Sequence, residues 1–343
     1  MSHIVMSDDG LPFDGRSLRA GPLGGAETAF VSLAEALARR GHRVDAYTRG
    51  AGALELEGVR WRSLGDGLPD ACDLYIANRG DRLIELVPGA LRRAFWLHNP
   101  ARYLLKWRYL SKLWRSRPVL VFAGEHHRRG YPAIAPDGGR LIVPLGVSDV
   151  FRTLPPPEET PPPRAIFTSN PLRGLDWLLR LWVTRIQPRL PEAELHVFSG
   201  PQTYGGGAKA ARMEAVLQLA RELAGCGVHV HPPVSKAILA EEMRGCRVML
   251  YGGDQGETFC LAVAEAQAAG LPCVVGDRGA VPERVRDGQT GFVARDDEAF
   301  AGAALRLLSD DALWWTHAHH AIAHQRGWGW DEAAAAFEDL VPA

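Results

Sequence analysis

Cysteine is scarce in this sequence and shows no pairing pattern: Cys72, Cys226, Cys246, Cys260 and Cys273 are odd in number and contain no Cys-x-x-Cys. That excludes a disulfide-stapled scaffold and a thiolate zinc centre, and fits a reduced compartment. Long apolar runs are missing too, with no stretch of about 18 residues to cross a bilayer. The opening residues, Met1-Ser-His-Ile-Val-Met-Ser-Asp-Asp9, reach acidic side chains too soon for a signal peptide. The expectation is a soluble, cytoplasmic protein, or one peripheral to the inner face of the membrane. An excess of either charge is likewise lacking: Lys and Arg number 39 against 40 Asp and Glu, a net charge of −1. Nothing global points to nucleic acid. With 343 residues and 46% hydrophobic content, the chain can bury a large core and divide into two domains.

What is present centres on Gly256-Glu-Thr-Phe-Cys-Leu-Ala-Val-Ala-Glu265, where seven mostly small and apolar residues separate Glu257 from Glu265. On a helix beginning near Thr258, Glu265 lies two turns in and Glu257 sits at or before the first turn, so both acids face a common cleft. The backbone N–H groups of Thr258, Phe259, Cys260 and Leu261 are then orphan donors at a positive helix end, suited to a phosphate. Carboxylates beside a diphosphate cradle suit a nucleotide-sugar, whose hydroxyls they accept from.

This segment, with Ala269-Gly270-Leu-Pro-Cys-Val-Val275 and Gly279-Ala-Val-Pro-Glu283 after it, resembles the E-x7-E signature of the retaining glycosyltransferases of family four, the group 1 glycosyltransferases. The resemblance implies an α/β protein of GT-B fold, two Rossmann-like doubly wound domains facing a central cleft. It also implies that Glu265 holds the donor ribose and that Glu257 contacts hydroxyls of the transferred sugar. Gly24-Gly-Ala-Glu-Thr-Ala-Phe30 and Leu37-Ala-Arg-Arg-Gly-His-Arg-Val44 resemble the same family's N-terminal domain, where paired glycines, here Gly24 and Gly25, let backbone approach the donor phosphates.

Along the chain, His3–Ser7, Arg43–Thr48, Asp73–Ala77, Arg93–Leu97, Val119–Phe122 and Arg140–Val147 read as strands, with a helix over Ala26–Arg40 that stops at Gly41. His98 follows its strand's carboxyl end, where open parallel sheets bind ligands, and by resemblance stands next to the reacting sugar. Residues 101–117 interleave six Lys and Arg with aromatics, reading either as a helix at a lipid headgroup interface or as an ordinary surface helix packing its aromatics on the sheet. Leu154-Pro-Pro-Pro-Glu-Glu-Thr-Pro-Pro-Pro163 holds neither helix nor central strand. The expected division is an acceptor domain over 1–153, a linker over 154–163 and a donor domain over 164–327, with a terminal helix in 328–343 packing back on the first.

In the second half, Ala165–Thr168 and Glu194–Gly200 read as strands, and Ser169–Gly174 as a loop before a helix from Leu175 to about Gln187. By resemblance this loop carries an Arg and a Lys for the donor diphosphate; Arg173 occupies the Lys place, and the Arg place near Thr168 has no cation. A guanidinium can replace much of the pair, or a cation comes from elsewhere. Gly205-Gly-Gly207 reads as a mobile turn. Val234, in Pro232-Pro-Val-Ser235, falls where relatives form part of the base pocket. His229 and His231 are expected on opposite strand faces, which disfavours a metal pair, and His317, His320 and His324 on one solvated helix face. No metal or cofactor is expected. The donor is a nucleoside-diphosphate sugar, UDP favoured over GDP or ADP, and the acceptor a glycan, a lipid-linked molecule or a small molecule. The expected activity is retaining sugar transfer; a sugar-nucleotide epimerase and a non-catalytic binding relative are the alternatives.

Overall fold

The computed structural model describes residues 1–50, 52–201 and 208–342; the Gly205–Gly207 turn lies outside the described residues. The chain forms two compact units, Met1–Gly146 with Trp328–Ala343, and Val147–Gly327. In the first, eight strands are described: β1 (His3–Asp8), β2 (Arg43–Thr48), β3 (Leu54–Leu56), β4 (Val59–Ser63), β5 (Ala71–Asn78), β6 (Gly89–Trp96), β7 (Val119–Phe122) and β8 (Arg140–Ile142). Their order is β3-β4-β2-β1-β5-β6-β7-β8, parallel except for the β3–β4 hairpin. β1 and β7 are buried over nearly their whole length, as strands covered on both faces must be. The chain winds one way from β1 and the other way from β5, so the topological switch point falls between the carboxyl ends of those two strands.

The helix Gly25–Arg39 follows β1 and buries Ala29, Phe30, Leu33 and Leu37. Against it lies the terminal helix Trp330–Glu338, whose Glu332 carboxylate accepts from the Gly329 N–H at 2.7 Å. Arg39 reaches Asp331 at 2.8 Å, and Arg40 and His42 both reach Glu338, at 2.5 and 2.7 Å. Phe337 is fully buried, its ring centroid 5.4 Å from that of Trp96, a burial that contributes about 1.5–3 kcal/mol.

The second unit has six parallel strands, β9 (Arg164–Phe167), β10 (Glu194–Phe198), β11 (Val228–His231), β12 (Val248–Tyr251), β13 (Cys273–Gly276) and β14 (Gly291–Ala294), in the order β11-β10-β9-β12-β13-β14. Its switch point lies between β9 and β12. The proline-rich run carries no regular element and is fastened to this unit, with Arg247 Nε donating to the Pro161 carbonyl at 2.6 Å. The boundary observed here falls upstream of that run, at Gly146, so the short helix Asp149–Arg152 belongs to the second unit. The expected helix from Leu175 is a regular α-helix only to Leu181; a wide turn over Trp182–Ile186 and a tight one over Gln187–Arg189 complete it. Pro188 supplies no N–H to extend the regular pattern.

Candidate functional site

In the second unit, the loops that leave β9, β11 and β12 bring together residues far apart in sequence. Arg173, in the loop after β9, places Nη1 2.6 Å from Glu257 Oε2, in the loop after β12. Tyr251, the last residue of β12, donates its hydroxyl to the same oxygen at 2.7 Å. Arg173 and Glu257 thus bracket the switch point, where a doubly wound sheet leaves a crevice. Burial works against the Arg173 charge, but the neighbouring Glu257 carboxylate outweighs it and raises its pKa. Burial pushes the Tyr251 hydroxyl well above its ordinary pKa, so it remains a donor.

The helix that follows begins at Leu261, not near Thr258, and runs to Ala268. The physical reason is Cys260, whose φ of +70° is left-handed and breaks a helical path. The first-turn amides are therefore those of Leu261, Ala262 and Val263, and Glu265 lies about one turn in rather than two. Of the four amides expected to form the cradle, only that of Leu261 belongs to the helix. Thr258 and Phe259 lie in the preceding loop; the Phe259 ring is buried, with the Arg284 guanidinium 4.3 Å from its centroid. The loop's other side is clasped at Gly279, whose φ is +57° and where a Cβ would stand 2.4 Å from the Asp254 carbonyl oxygen and 3.1 Å from Glu257 Cβ. Ala280 N donates to the Glu257 carbonyl at 3.0 Å.

Glu265 is 2% exposed and receives Lys236 Nζ on both carboxylate oxygens, at 2.6 and 2.7 Å. Burial raises its pKa while Lys236 opposes the shift. The sequence reading missed Lys236. It opens the helix Lys236–Arg244, capped by Ser235 and preceded by half-buried Val234; a lysine just after Pro-Pro-Val-Ser was the available signal. At the end of β9, Thr168 Oγ1 is buried without a hydrogen-bond partner among the described residues.

The first unit carries a polar cluster at its own switch point that sequence reasoning also missed. Asp8 ends β1, Asn78 ends β5, and Arg79 follows with φ +52°. Arg79 donates to both Asp8 oxygens, at 2.9 and 3.1 Å, and to Glu27 at 2.7 Å; Asn78 Nδ2 reaches Asp8 at 2.6 Å. Asp9 beside them has a raised pKa, through burial and then the Asp8 charge. Two carboxylates, Asp8 and Glu27, therefore share one guanidinium, with Asp9 beside them. Gly24 caps the helix Gly25–Arg39 in an extended conformation, and nothing lies within 4 Å of a Cβ built at Gly25. Neither glycine serves a left-handed turn.

His98 lies two residues past β6, its ring 4.5 Å from Trp96, and burial with the Arg79 charge holds its pKa well below the usual value. His127 bonds the Asn99 carbonyl at 2.8 Å and the Ala123 amide at 3.2 Å, and burial lowers its pKa from 6.5 to about 4. Because the folded state prefers neutral His127, its contribution is present above pH 6.5 and is lost progressively as pH falls toward 4. Between about pH 7.5 and pH 5, urea denaturation is expected to show about 2 kcal/mol less pH-dependent loss of stability in His127→Asn than in wild type.

The other histidine expectations change. His229 and His231 share a face, since residues two apart on a strand point the same way, and both rings pack against His196, at 5.0 and 5.2 Å. His317 is buried, not solvated, its Nδ1 2.9 Å from the Leu313 carbonyl oxygen and its ring beside Phe292. Residues 101–117 divide as well. Tyr109 and Leu113 of the helix Trp107–Ser116 are buried in the first unit's core, while Trp107 and Trp114 are 80% and 71% exposed.

Residues 163–310 match the family model described as Glycosyl transferases group 1. A D-inositol 3-phosphate glycosyltransferase of Streptomyces griseus subsp. griseus is 34% identical over 181 residues, covering 51% of this chain and 37% of that protein. One from Xylanimonas cellulosilytica is 37% identical over 140 residues, covering 39% and 33%. The chain thus spans little more than a third of the curated relatives it matches. Among solved structures, sucrose-phosphate synthase from Thermosynechococcus elongatus superposes with a TM-score of 0.76 at 16% identity, covering 99% of this chain and 98% of that one. Anabaena Alr3699/HepE in complex with UDP-glucose gives 0.74 at 14% identity, covering 99% of both chains. WaaG, a glycosyltransferase involved in lipopolysaccharide biosynthesis, gives 0.70 at 15% identity, covering 99% and 100%. The fold is GT-B, built of two Rossmann-like units, as the resemblance implied.

Proposed function

We propose that this chain, which carries a group 1 glycosyltransferase domain over residues 163–310, moves a sugar from a nucleoside-diphosphate sugar to a hydroxyl acceptor with retention of configuration. The observation that carries this reading is the pair of carboxylates at the second unit's switch point, each engaged by a cation: Glu257 by Arg173 and Glu265 by Lys236. In this reading the donor diphosphate meets Arg173 and the first-turn amides of the helix Leu261–Ala268, which aim positive charge at the leaving group. Lys236 answers the missing cation near Thr168, and the Thr168 hydroxyl supplies one more bond.

Among the described residues, the Arg173 and Tyr251 bonds both fall on Glu257 Oε2, leaving Oε1 for a sugar hydroxyl. Glu265 takes the ribose, and Val234 lines the base. UDP is the favoured nucleotide, since the Anabaena protein of the same fold is a UDP-glucose complex. The acid-rich cluster of Asp8, Asp9 and Glu27 suits the hydroxyls of an acceptor, and neutral His98 offers a hydrogen bond to a sugar hydroxyl. Gly25 leaves open ground before a helix N-terminus, where the backbone can meet an anionic group.

A nucleoside-diphosphate release screen over UDP-, GDP- and ADP-sugars tests the reading. Slow hydrolysis of one nucleotide class is expected, abolished in both Arg173→Ala and Glu265→Ala. Interconversion of the donor alone would favour an epimerase, and nucleotide binding without turnover with any acceptor would favour a binding protein.

A peripheral membrane contact belongs to the same proposal. No described helix is long and apolar enough to cross a membrane, but Trp107 and Trp114 stand two turns apart on an exposed helix face flanked by Lys106, Arg108 and Arg115. Co-sedimentation with anionic vesicles is expected for wild type and at least severalfold less for Trp107→Ala/Trp114→Ala; equal sedimentation would remove this part.

A further inference from the structure

We propose that Glu194, His196 and His229 form a binding site for a divalent transition-metal ion of the zinc class, on one face of the second unit's sheet edge. β10 and β11 pair in parallel with His196 opposite His229 and Phe198 opposite His231. Alternate residues share a face, so Glu194 and His196 of β10 stand beside His229 and His231 of β11. The ligand atoms of Glu194, His196 and His229 all lie within 4.8 Å of one another, the one such group of three among the described residues. Glu194 Oε2 is 3.0 Å from His196 Nε2, and Glu194 Oε1 is 4.0 Å from His229 Nε2. A tetrahedral ion with bonds of about 2.0–2.1 Å sets its ligand atoms about 3.4 Å apart. These separations bracket that spacing.

The surroundings fit a ligand set better than a plain ion pair. His196 Nδ1 lies 3.1 Å from His231 Nε2, and those rings stack at 8°; His231 in turn stacks on Phe198 at 4.4 Å. A metal-bound imidazole needs such an outer partner to fix its tautomer and orientation. With the ion on His196 Nε2, Nδ1–H donates to His231 Nε2, and the His231 proton sits on its own Nδ1. Each ring keeps one proton, so only the tautomers change. Arg164 Nε donates to Glu194 Oε2 at 2.7 Å, which anchors the carboxylate beside both imidazoles. Two imidazoles and one carboxylate select zinc, nickel or copper over magnesium or calcium. Glu194 and His196 are the first and third residues of β10, at the amino ends of parallel strands, whereas Arg173 and Glu257 lie past the carboxyl ends. The ion would clip edge strand β11 to β10 and keep an open coordination position.

Tag-free, chelator-treated full-length protein titrated with Zn2+ by calorimetry is expected to take up one equivalent and to melt at a higher temperature. Co2+ in its place gives a tetrahedral absorption band. Glu194→Gln, at a partly exposed position where the fold is retained, and His229→Ala each abolish the saturable phase, and His231→Phe weakens binding about tenfold or more. Binding of a nucleoside diphosphate is unchanged in all three, which separates this site from the donor site. Circular dichroism identifies any variant that does not fold. A Zn2+ response that persists in His196→Ala/His229→Ala, or that never saturates in wild type, would overturn the assignment.

Discussion

Replacing Glu257 with glutamine is expected to lower the rate of sugar transfer by about 10²–10⁴-fold. The carboxylate holds Arg173 at 2.6 Å and Tyr251 at 2.7 Å, and in the proposed reaction it also accepts from the sugar. Hydrogen bonds to a charged group contribute about 1.5–3 kcal/mol each, and two of them account for the span at about 1.4 kcal/mol per decade. Glutamine keeps the shape, so the loss is one of charge. Arg173, no longer held, points its guanidinium away from the diphosphate. Initial rates of nucleoside-diphosphate release, with donor affinity from calorimetry, separate these effects. A Gln variant within about threefold of wild type would remove Glu257 from the reaction.

Lys236→Met is expected to cost stability rather than chemistry first. It strips the partner from Glu265, which is 2% exposed, while Lys236 itself is 28% exposed and rests 5.8 Å over the Phe151 ring. Leaving one member of a buried pair uncompensated costs about 3–5 kcal/mol, and the partial exposure of Lys236 puts the expectation at about 2–4. For a unit of this size that is a fall of about 5–12 °C in melting temperature by calorimetry. The Lys236→Met/Glu265→Gln protein should recover most of it, since neither group then carries a buried charge. If Glu265 holds the ribose, the recovered double variant still binds donor more weakly than wild type, which distinguishes folding from binding. A single variant that melts with wild type would show that Glu265 does not depend on this lysine.

The parts legible in the sequence were those written locally. Glu257 and Glu265, their spacing and the small residues between them marked the second unit's site, and the buried runs at β1, β2 and β7 marked the sheet. The helix start was not legible, because Cys260 adopts a left-handed conformation that a cysteine does not favour by its own preference and that nothing in the local sequence marks. Nor were the pairings. Lys236 meets Glu265 across 29 positions, and Arg79 meets Asp8 across 71; contacts between loops of a parallel sheet leave no periodicity to read. The hairpin of β3 and β4 is short and half exposed, so its alternation was too weak to register. The misplaced faces of His229 and His231 were legible and misread, the period of two being plain in the sequence.

The first unit is not finished when its long N-terminal stretch has been made. It ends at Gly146 and resumes only at Trp328, so the helix that lies against Gly25–Arg39 and seats Phe337 against Trp96 is delivered by the ribosome only after the whole second unit. At about 5–20 residues per second, the intervening second unit, contiguous in the chain, has about 10–35 s to emerge and fold first. During that interval the earlier-made sheet waits with an apolar flank uncovered. Between these two units, synthesis order and completion order are therefore inverted: the one begun earlier is closed later, and a nascent chain stalled short of Trp328 would present a chaperone with one finished unit and one open one.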